Sequence, residues 1–186
     1  MAKVILGTNM SLDGYINDRS GSVQPLYPDF DAMREAETLQ ESVRDTGAVI
    51  MGRKTFNMAD DPDDYANSYE YQVPIFVLTH HPPNRKPKEN NRLTITFVTD
   101  GIESAVTQAK AAAGDKDVTI IGTPDIARQV IRAGLADELH VDIMPLLLGG
   151  GLRFFEDIGL QPMQLEKIKT LDLPLDSTHL RYRFNK

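Results

Sequence analysis

Two glycine-containing turns hold residues whose types and spacing suit a phosphate group. The first comprises Gly52, Arg53, Lys54 and Thr55, and it directly follows the apolar run 48–51. Free backbone N–H groups, a hydroxyl and two cations would meet where a strand ends and a helix begins near Thr55, an arrangement that binds phosphate in α/β proteins. A basic turn on an acidic surface is the alternative interpretation, and the spacing alone leaves both open.

The second turn comprises Gly122, Thr123, Pro124 and Asp125, and it follows the apolar run 118–121. Thr123 in the N-cap position and Pro124 in the first helical position predict that a helix begins here. Its free N–H groups would favour an anion, but a structural helix whose dipole is complemented by Asp125 gives the same pattern. Two such turns at the carboxyl ends of parallel strands would together suit a dinucleotide.

Two further segments are suited to contact with a second ligand. Gly149, Gly150 and Gly151 are consecutive and flanked by apolar residues, which predicts a backbone that a ligand or another chain approaches closely. A flexible loop is the alternative for these glycines. Asp13 precedes Gly14 just after the first apolar run, so it belongs either to a turn or to a cleft at the end of that strand.

Other chemistries are excluded or disfavoured. The chain has no cysteine, which excludes disulfides, thiolate nucleophiles, Cys-based metal sites and zinc deaminase chemistry. His80 and His81 are neighbours that would face opposite ways on a strand, and His140 shares its strand face with Asp142, which makes two ligands and not a metal site. A structural or solvated role is therefore expected for the histidines, His179 included, and no metal is expected.

The composition describes one globular domain spanning residues 1–186. A net charge of −7 argues against non-specific binding to nucleic acid or to anionic membranes, although it leaves room for a local basic site. No apolar run reaches the ~18 residues of a membrane span, and the first run is too short for a secretory signal. A cytoplasmic protein is therefore expected.

Short apolar runs alternate with helical patterns, and these elements must position the turns described above. Strands are predicted at 3–8, 48–51, 74–79, 93–99, 118–121, 139–144, 164–170 and 179–184. Helices are predicted at 31–45, from about 55, from a capping box at Asp100 and Glu103 to Gly114, and from Pro124 to about Ala133. The strand–helix–strand spacing predicts an α/β fold with a mostly parallel sheet, to which the last two strands add antiparallel.

Seven segments carry a family resemblance. They are SLDGYI at 11–16, MGRKTF at 51–56, LTH at 78–80, GTPDIAR at 122–128, AGLADEL at 133–139, PLLLGGGLRFF at 145–155 and THLRYRF at 178–184. Together they resemble the dihydrofolate-reductase-like superfamily, and most closely the reductase domain of bacterial riboflavin biosynthesis and its stand-alone relatives. Each segment alone is weak, but their order and spacing match over nearly the whole chain.

The resemblance implies a three-layer α/β sandwich with an eight-stranded sheet, NADPH as hydride donor, and a homodimer. The family pattern assigns the cofactor contacts to two groups of residues. Gly52, Arg53, Lys54 and Thr55 would hold the pyrophosphate and the 2′-phosphate. The second group would lie beside the adenosine ribose and on the other side of the diphosphate: Thr79, His80, Gly122, Thr123, Pro124 and Asp125.

One turn departs from the family pattern. Relatives usually carry two glycines where this chain has Gly122 and Thr123. The β-carbon of Thr123 narrows the space for a diphosphate, its hydroxyl offers a hydrogen bond, and Pro124 lacks an N–H. Three functions stay open: an NADPH-dependent reductase of a pterin- or pyrimidine-like molecule, a non-catalytic protein that binds a nucleotide or another small ligand, and a structural or interaction module on the same fold.

Three carboxylates are candidates for the catalytic group. Asp13 is the first, because the first strand delivers it to the cleft, and Glu35 or Glu37 lies roughly where dihydrofolate reductases carry their cleft carboxylate. A carboxylate in such a cleft is expected to have a pKa raised by desolvation.

The substrate contacts are predicted at Asp13, Gly149, Gly150 and Arg153. A riboflavin-type substrate carries a phosphate, for which Arg19, Arg34 or Arg153 would supply the positive charge.

Overall fold

The computed structural model describes residues 2–159 and 161–185 and contains all eight predicted strands, with their ends shifted by a few residues. They are β1 Val4–Ser11, β2 Thr46–Gly52, β3 Ile75–Leu78, β4 Ile95–Val98, β5 Asp117–Ile121, β6 Glu138–Met144, β7 Leu165–Asp172 and β8 Thr178–Phe184. The longest apolar runs became buried strands: Val49, Ile50, Ile75 and Val118 are fully buried.

The strands form one sheet in the order β4-β3-β2-β5-β1-β6-β8-β7. The five ladders that join β4 through to β6 are all parallel. β8 pairs antiparallel with β6, and β7 pairs antiparallel with β8. The predicted α/β fold, with a mostly parallel sheet and an antiparallel addition at the C-terminal end, is therefore confirmed.

Helices cover both faces of the sheet, as a three-layer sandwich requires. They are α1 Phe30–Glu35, α2 Glu37–Asp45, α3 Arg53–Phe56, α4 Asp64–Ser68, α5 Ile102–Ala113 and α6 Pro124–Arg132, preceded by a 3₁₀ turn at Gln24–Leu26. On one face, Val106 of α5 and Val130 of α6 pack with Leu6 in a single apolar cluster. On the other, Phe56 of α3 packs with Val49 in a second cluster, together with side chains of α2 and α4.

The helix predicted at 31–45 is wrong in one respect, because two helices occupy this segment. Ala36 adopts an extended conformation (φ −59°, ψ 133°) and separates α1 from α2. α1 also begins earlier than predicted, since the Asp29 carboxylate caps it by accepting a hydrogen bond from the Ala32 N–H. The carbonyl of Arg34, left free by the break, accepts a hydrogen bond from the Gln40 side chain.

The other two long helices differ in how well their starts were predicted. α6 has Thr123 at its N-cap and Pro124 at its first position, as expected, and Gly134 lies just beyond its end. The capping box predicted at Asp100 and Glu103 is wrong, because Gly101 (φ 105°) is the N-cap of α5 and no side chain caps it. No helix in the described part of the chain is long and apolar enough to cross a membrane.

Candidate active site

The sheet order places the candidate cofactor turns, Asp13 and the three consecutive glycines along one edge. β3, β2, β5, β1 and β6 are consecutive parallel strands, so their carboxyl ends lie side by side. The turns predicted to bind the cofactor follow β2, β3 and β5, whereas the segments predicted to bind the substrate follow β1 and β6. Ligands of open α/β sheets bind at this edge.

The turns after β2 and β5 are in direct contact. Gly122 has φ +118°, and a β-carbon built on it would lie 2.1 Å from the Thr55 Oγ1. Both the backbone angle and the space therefore require glycine at this position. On the other side of the contact, the Thr123 Oγ1 lies 3.6 Å from where a β-carbon of Gly52 would be. Four of the predicted cofactor residues thus meet where β2 and β5 end.

Two hydroxyls at this contact are available to a ligand. The Thr55 Oγ1 is buried and has no hydrogen-bond partner among residues 2–159 and 161–185. Leaving a buried hydroxyl without a partner costs about 1–3 kcal/mol, so a ligand oxygen that bonds to it is favoured. The hydroxyl of Thr123 does not cap α6 either. The residues of this turn therefore fit the diphosphate of a nucleotide.

Arg53 connects this contact to the turn after β3. Its Nε donates to the Asn57 Oδ1 (2.9 Å), its Nη1 donates to the His81 carbonyl (3.1 Å), and its guanidinium lies 5.8 Å from the centre of the Phe97 ring. The Thr79 hydroxyl donates to the same His81 carbonyl at 3.2 Å.

The remaining cofactor candidates differ in how free they are to bind a ligand. Lys54 and His80 are exposed, and Pro124 is buried at the start of α6. Asp125, also at that helix start, forms an ion pair with Arg128, which offsets its negative charge.

Asp13 links the end of β1 to the triglycine loop, which we define as residues 149–151. Its Oδ1 accepts hydrogen bonds from the Ser11 hydroxyl (2.6 Å) and the Leu148 N–H (3.1 Å), and its Oδ2 accepts one from the Gly149 N–H (2.8 Å). The Ser11 hydrogen bond, with help from the backbone donors, lowers the pKa of Asp13. This shift is opposite to the raised pKa expected for a cleft carboxylate, so Asp13 is suited to hold the loop and unsuited to donate a proton.

The triglycine loop is packed against the segment after β1. Gly151 has φ +131°, and a β-carbon there would lie 1.9 Å from the Asn17 carbonyl oxygen. The Arg19 side chain lies directly against Gly150, and its Nη2 donates to the Gly149 carbonyl at 2.8 Å. The predicted substrate residues Gly149 and Gly150 are thereby fixed next to Asp13.

The three candidate arginines have different surroundings. Arg153 pairs with Tyr15 in an isolated antiparallel bridge, and its guanidinium lies 4.6 Å from the centre of the Tyr15 ring. Arg34 lies over the Phe30 ring of α1, at 5.7 Å. Arg19 and Arg153 therefore share the β1–β6 end of the site, whereas Arg34 belongs to α1.

The glutamates proposed as alternatives to Asp13 flank the break between α1 and α2. Glu35 is the last residue of α1 and Glu37 the first of α2, and both are exposed.

Sequence reasoning missed a set of polar side chains between β6, β8 and α2. The His179 Nδ1 lies 2.5 Å from the Asp142 Oδ1, and the Arg181 Nε donates to the His179 Nε2 at 2.8 Å. Arg181 also forms two hydrogen bonds with Glu41. The strand alternation placed His140 and Asp142 on one face, but only the pairing of β6 with β8 brings His179 opposite Asp142.

A model of the RibD C-terminal domain family matches residues 2–175 of the 186-residue chain. The chain belongs to this family. Two Bacillus subtilis proteins are also similar: YyaP is 25% identical over 194 residues, covering 98% of this chain and 95% of YyaP, and YwjB is 22% identical over 84% of each chain. Membership gives the chain a reductase-like domain.

Solved structures share the fold of this RibD C-terminal domain. A Shewanella protein named for riboflavin biosynthesis has a TM-score of 0.80 at 22% identity, and each chain covers 100% of the other. The Thermotoga maritima deaminase/5-amino-6-(5-phosphoribosylamino)uracil reductase has a TM-score of 0.74 at 16% identity, and the match covers 99% of this chain and 57% of the Thermotoga chain. Acinetobacter baumannii RibD has a TM-score of 0.69 at 22% identity, and the match covers 100% of this chain and 58% of the RibD chain. The predicted resemblance to riboflavin-type reductase domains is confirmed.

Proposed function

We propose that this protein is an NADPH-dependent reductase that transfers a hydride to a pterin- or pyrimidine-like small molecule. The observation that carries the proposal is the contact between Thr55 and Gly122. In a chain of the RibD C-terminal domain family, it leaves a buried hydroxyl that no described residue hydrogen-bonds, and two cations, Arg53 and Lys54, directly precede Thr55 in the sequence. That combination suits a phosphorylated dinucleotide at the carboxyl edge of the sheet.

The cofactor would be held by residues of the turns that follow β2, β3 and β5. Gly52, Lys54 and Thr55 would contact the pyrophosphate from one side, and Gly122 to Asp125 from the other. The Arg53 Nη2, which has no hydrogen bond to the described residues, would bind the 2′-phosphate, with Thr79 and His80 beside the ribose. NADPH supplies the hydride, and the protein orients the nicotinamide and excludes water.

The substrate would lie at the β1–β6 end of the same edge, against Asp13, Gly149 and Gly150. The name of the Thermotoga maritima neighbour gives the compound to test first, 5-amino-6-(5-phosphoribosylamino)uracil. Arg19 and Arg153, both at this end, would bind its phosphate.

Thr123 favours a second candidate function, a non-catalytic protein that binds a nucleotide or another small ligand. Its side chain occupies space near Gly52, in the turn that would cradle the diphosphate. A protein of this kind would bind a ligand at the same edge without turnover.

Calorimetric titration with NADPH and NADH, followed by an NADPH-oxidation assay with 5-amino-6-(5-phosphoribosylamino)uracil, tests the proposal. We expect micromolar NADPH binding, a preference over NADH, and turnover.

Arg53→Ala should weaken NADPH binding at least tenfold and NADH binding little, since only NADPH carries the 2′-phosphate. The matched control Asn57→Ala removes the Nε partner of Arg53 and should leave the NADPH/NADH ratio unchanged. Binding without turnover of pyrimidines or pterins would support the second candidate, and equal weakening of both cofactors would refute the role of Arg53.

We also propose that the protein is a homodimer, as the family resemblance implies. An open apolar groove of about 270 Å³ lies on the sheet face beside α6. Its lining includes Leu165, Leu180 and Tyr182, together with the exposed side chains of Phe155 and Met163. A second copy would remove this apolar surface from water.

A further inference from the structure

Four polar side chains form a continuous chain of hydrogen bonds from α2 across β8 to β6. The Arg181 Nη1 and Nη2 donate to the two carboxylate oxygens of Glu41 at 3.0 and 2.7 Å. The Arg181 Nε donates to the His179 Nε2 at 2.8 Å, and the His179 Nδ1 lies 2.5 Å from the Asp142 Oδ1. The chain ends at Asp142.

This geometry fixes the tautomer of His179. A guanidinium Nε can only donate, so the His179 Nε2 is the acceptor and the ring proton lies on Nδ1, where it is donated to Asp142. Arg181 is itself held by a two-point hydrogen bond with Glu41, which restricts its orientation more than a single contact would. Asp142 is therefore held in one orientation by three residues behind it.

The other oxygen of Asp142 is free for a ligand. Its Oδ2 has no hydrogen bond to any residue in the described ranges 2–159 and 161–185, and the Asp142 side chain is 23% exposed, against 6% for His179. Burial, and then the negative charge of Asp142, raise the pKa of Tyr27 to about 12. The same charge contributes to a pKa of about 12 for Tyr71, where burial is again the largest cause. Asp142 thus keeps one carboxylate oxygen unbonded on a side chain that is partly exposed.

Asp142 also lies close to the edge of the sheet at which the substrate is proposed to bind. In the β1–β6 ladder it pairs with Asn9, two residues before β1 ends at Ser11. The triglycine loop and Asp13 begin just beyond this point. Asp13 has both of its oxygens bonded to neighbouring donors, so it offers less to a ligand than Asp142 does.

We propose that Asp142 binds the substrate by accepting a hydrogen bond from a ring N–H group, and that His179, Arg181 and Glu41 are positioning residues for it. The proposal rests on the reductase function above and specifies its substrate class. The substrate is a heterocycle that presents an N–H donor to Asp142. Its phosphate binds elsewhere, because a carboxylate repels an anion.

Binding of two uracils by the full, cofactor-free chain tests this assignment. The probes are 5,6-diaminouracil and its 1,3-dimethyl derivative, which lacks the ring N–H donors. We expect 5,6-diaminouracil to shift the NMR signals of the Asp142 carboxyl carbon and the His179 ring nitrogens, and the dimethyl derivative to bind at least tenfold more weakly. Asp142→Asn should weaken 5,6-diaminouracil at least tenfold, whereas the control Asp172→Asn, on exposed β7, should not.

Equal binding of the two uracils, no shift at Asp142, or unchanged affinity in Asp142→Asn would overturn the assignment. The NADPH titration keeps this outcome separate from the proposed reductase function. A protein that binds 5,6-diaminouracil through Asp142 but does not bind NADPH would retain the ring-binding carboxylate and lose the reductase proposal. If the protein oxidises NADPH but Asp142→Asn binds 5,6-diaminouracil as tightly as the wild type does, the reductase proposal would stand and the role of Asp142 would be lost.

The positioning role has its own readout. Arg181→Gln should allow the His179 ring proton to occupy either nitrogen, which the ¹⁵N shifts of the ring would show. It should also weaken the binding of 5,6-diaminouracil severalfold. Glu41→Gln keeps Arg181 in place and should give a smaller change of the same kind. Arg183 lies on the same strand as Arg181, and its guanidinium bonds to Glu166 of β7; Arg183→Gln is therefore the control and should change neither. A released tautomer with full affinity would refute positioning by Arg181.

Discussion

At the scale of single residues, Thr55 and Asp13 show how differently polar groups are treated along one edge of the sheet. Asp13 accepts three hydrogen bonds from nearby donors and its pKa is lowered, first by the Ser11 hydroxyl. The Thr55 hydroxyl is buried against Gly122 and has no hydrogen bond with any of the described residues. Asp13 therefore serves the fold, and the unsatisfied group is the one that suits a ligand.

Gly122→Ala tests the contact that carries the proposed cofactor site. The new β-carbon would lie 2.1 Å from the Thr55 Oγ1, in a backbone conformation that L-residues rarely adopt. We expect a loss of about 1–3 kcal/mol in the free energy of unfolding, measured by urea denaturation. NADPH binding, measured by calorimetry, should fall with it.

Two comparisons separate the contact from the backbone angle. Gly134 also has positive φ (+66°), but no atom of the described residues lies within 4 Å of where its β-carbon would be, so Gly134→Ala should cost less. Adding Thr55→Ala to Gly122→Ala removes the closest atom and should restore part of the stability. If Gly134→Ala were as costly as Gly122→Ala and Thr55→Ala restored nothing, the contact would not be the cause.

At the scale of elements, the sequence predicted what local patterns determine. Apolar runs or alternating residues predicted the strands, and Pro124 and Gly134 predicted the limits of α6, because these patterns are local in the sequence. The break at Ala36 was missed, since the apolar spacing of 31–45 is the same for one helix or two. The Gln40 side chain that satisfies the freed carbonyl becomes visible only in the structure.

The candidate site, like the fold, was predicted only where local patterns determine it. The two phosphate-type turns were found from their glycines and cations, and the sheet order confirms that they follow adjacent strands. The hydrogen-bond chain that ends at Asp142 was missed, because it depends on the antiparallel register that places His179 opposite Asp142, 37 residues away. No local pattern encodes such a register.

The link from β1 to the triglycine loop should be sensitive to acid. The pKa of Asp13 lies below its ordinary value of 3.8, so the ionised group stabilises the fold above that pH. This stabilisation is lost as the pH falls through the lower, folded-state pKa. We expect Asp13→Asn to lower the urea midpoint at neutral pH, and its difference from the wild type to shrink as the pH falls from about 5 to about 2. The exposed Asp115→Asn should show no such convergence, and a constant difference for Asp13→Asn would contradict the argument.

At the scale of the whole molecule, helices cover one end of the sheet more completely than the other. α2, α3 and α4 pack on one face, and α5 and α6 on the other, mainly over β2, β3 and β5. The groove next to α6 leaves part of β6, β7 and β8 open, with Met163 at 43% and Phe155 at 37% exposure. Apolar surface of this kind favours contact with another chain.

Met163→Glu tests whether this groove forms the proposed dimer. We expect the wild type to sediment at twice the mass of one chain at tens of micromolar, by analytical ultracentrifugation. A carboxylate at Met163 would have to be buried without a partner, so the variant should dissociate at least tenfold more readily. The control Met58→Glu places the same charge at a methionine that is 58% exposed, between α3 and α4, and should leave the dimer intact. A monomeric wild type would refute the dimer, whereas a dimer equally stable in both variants would place the interface on another surface.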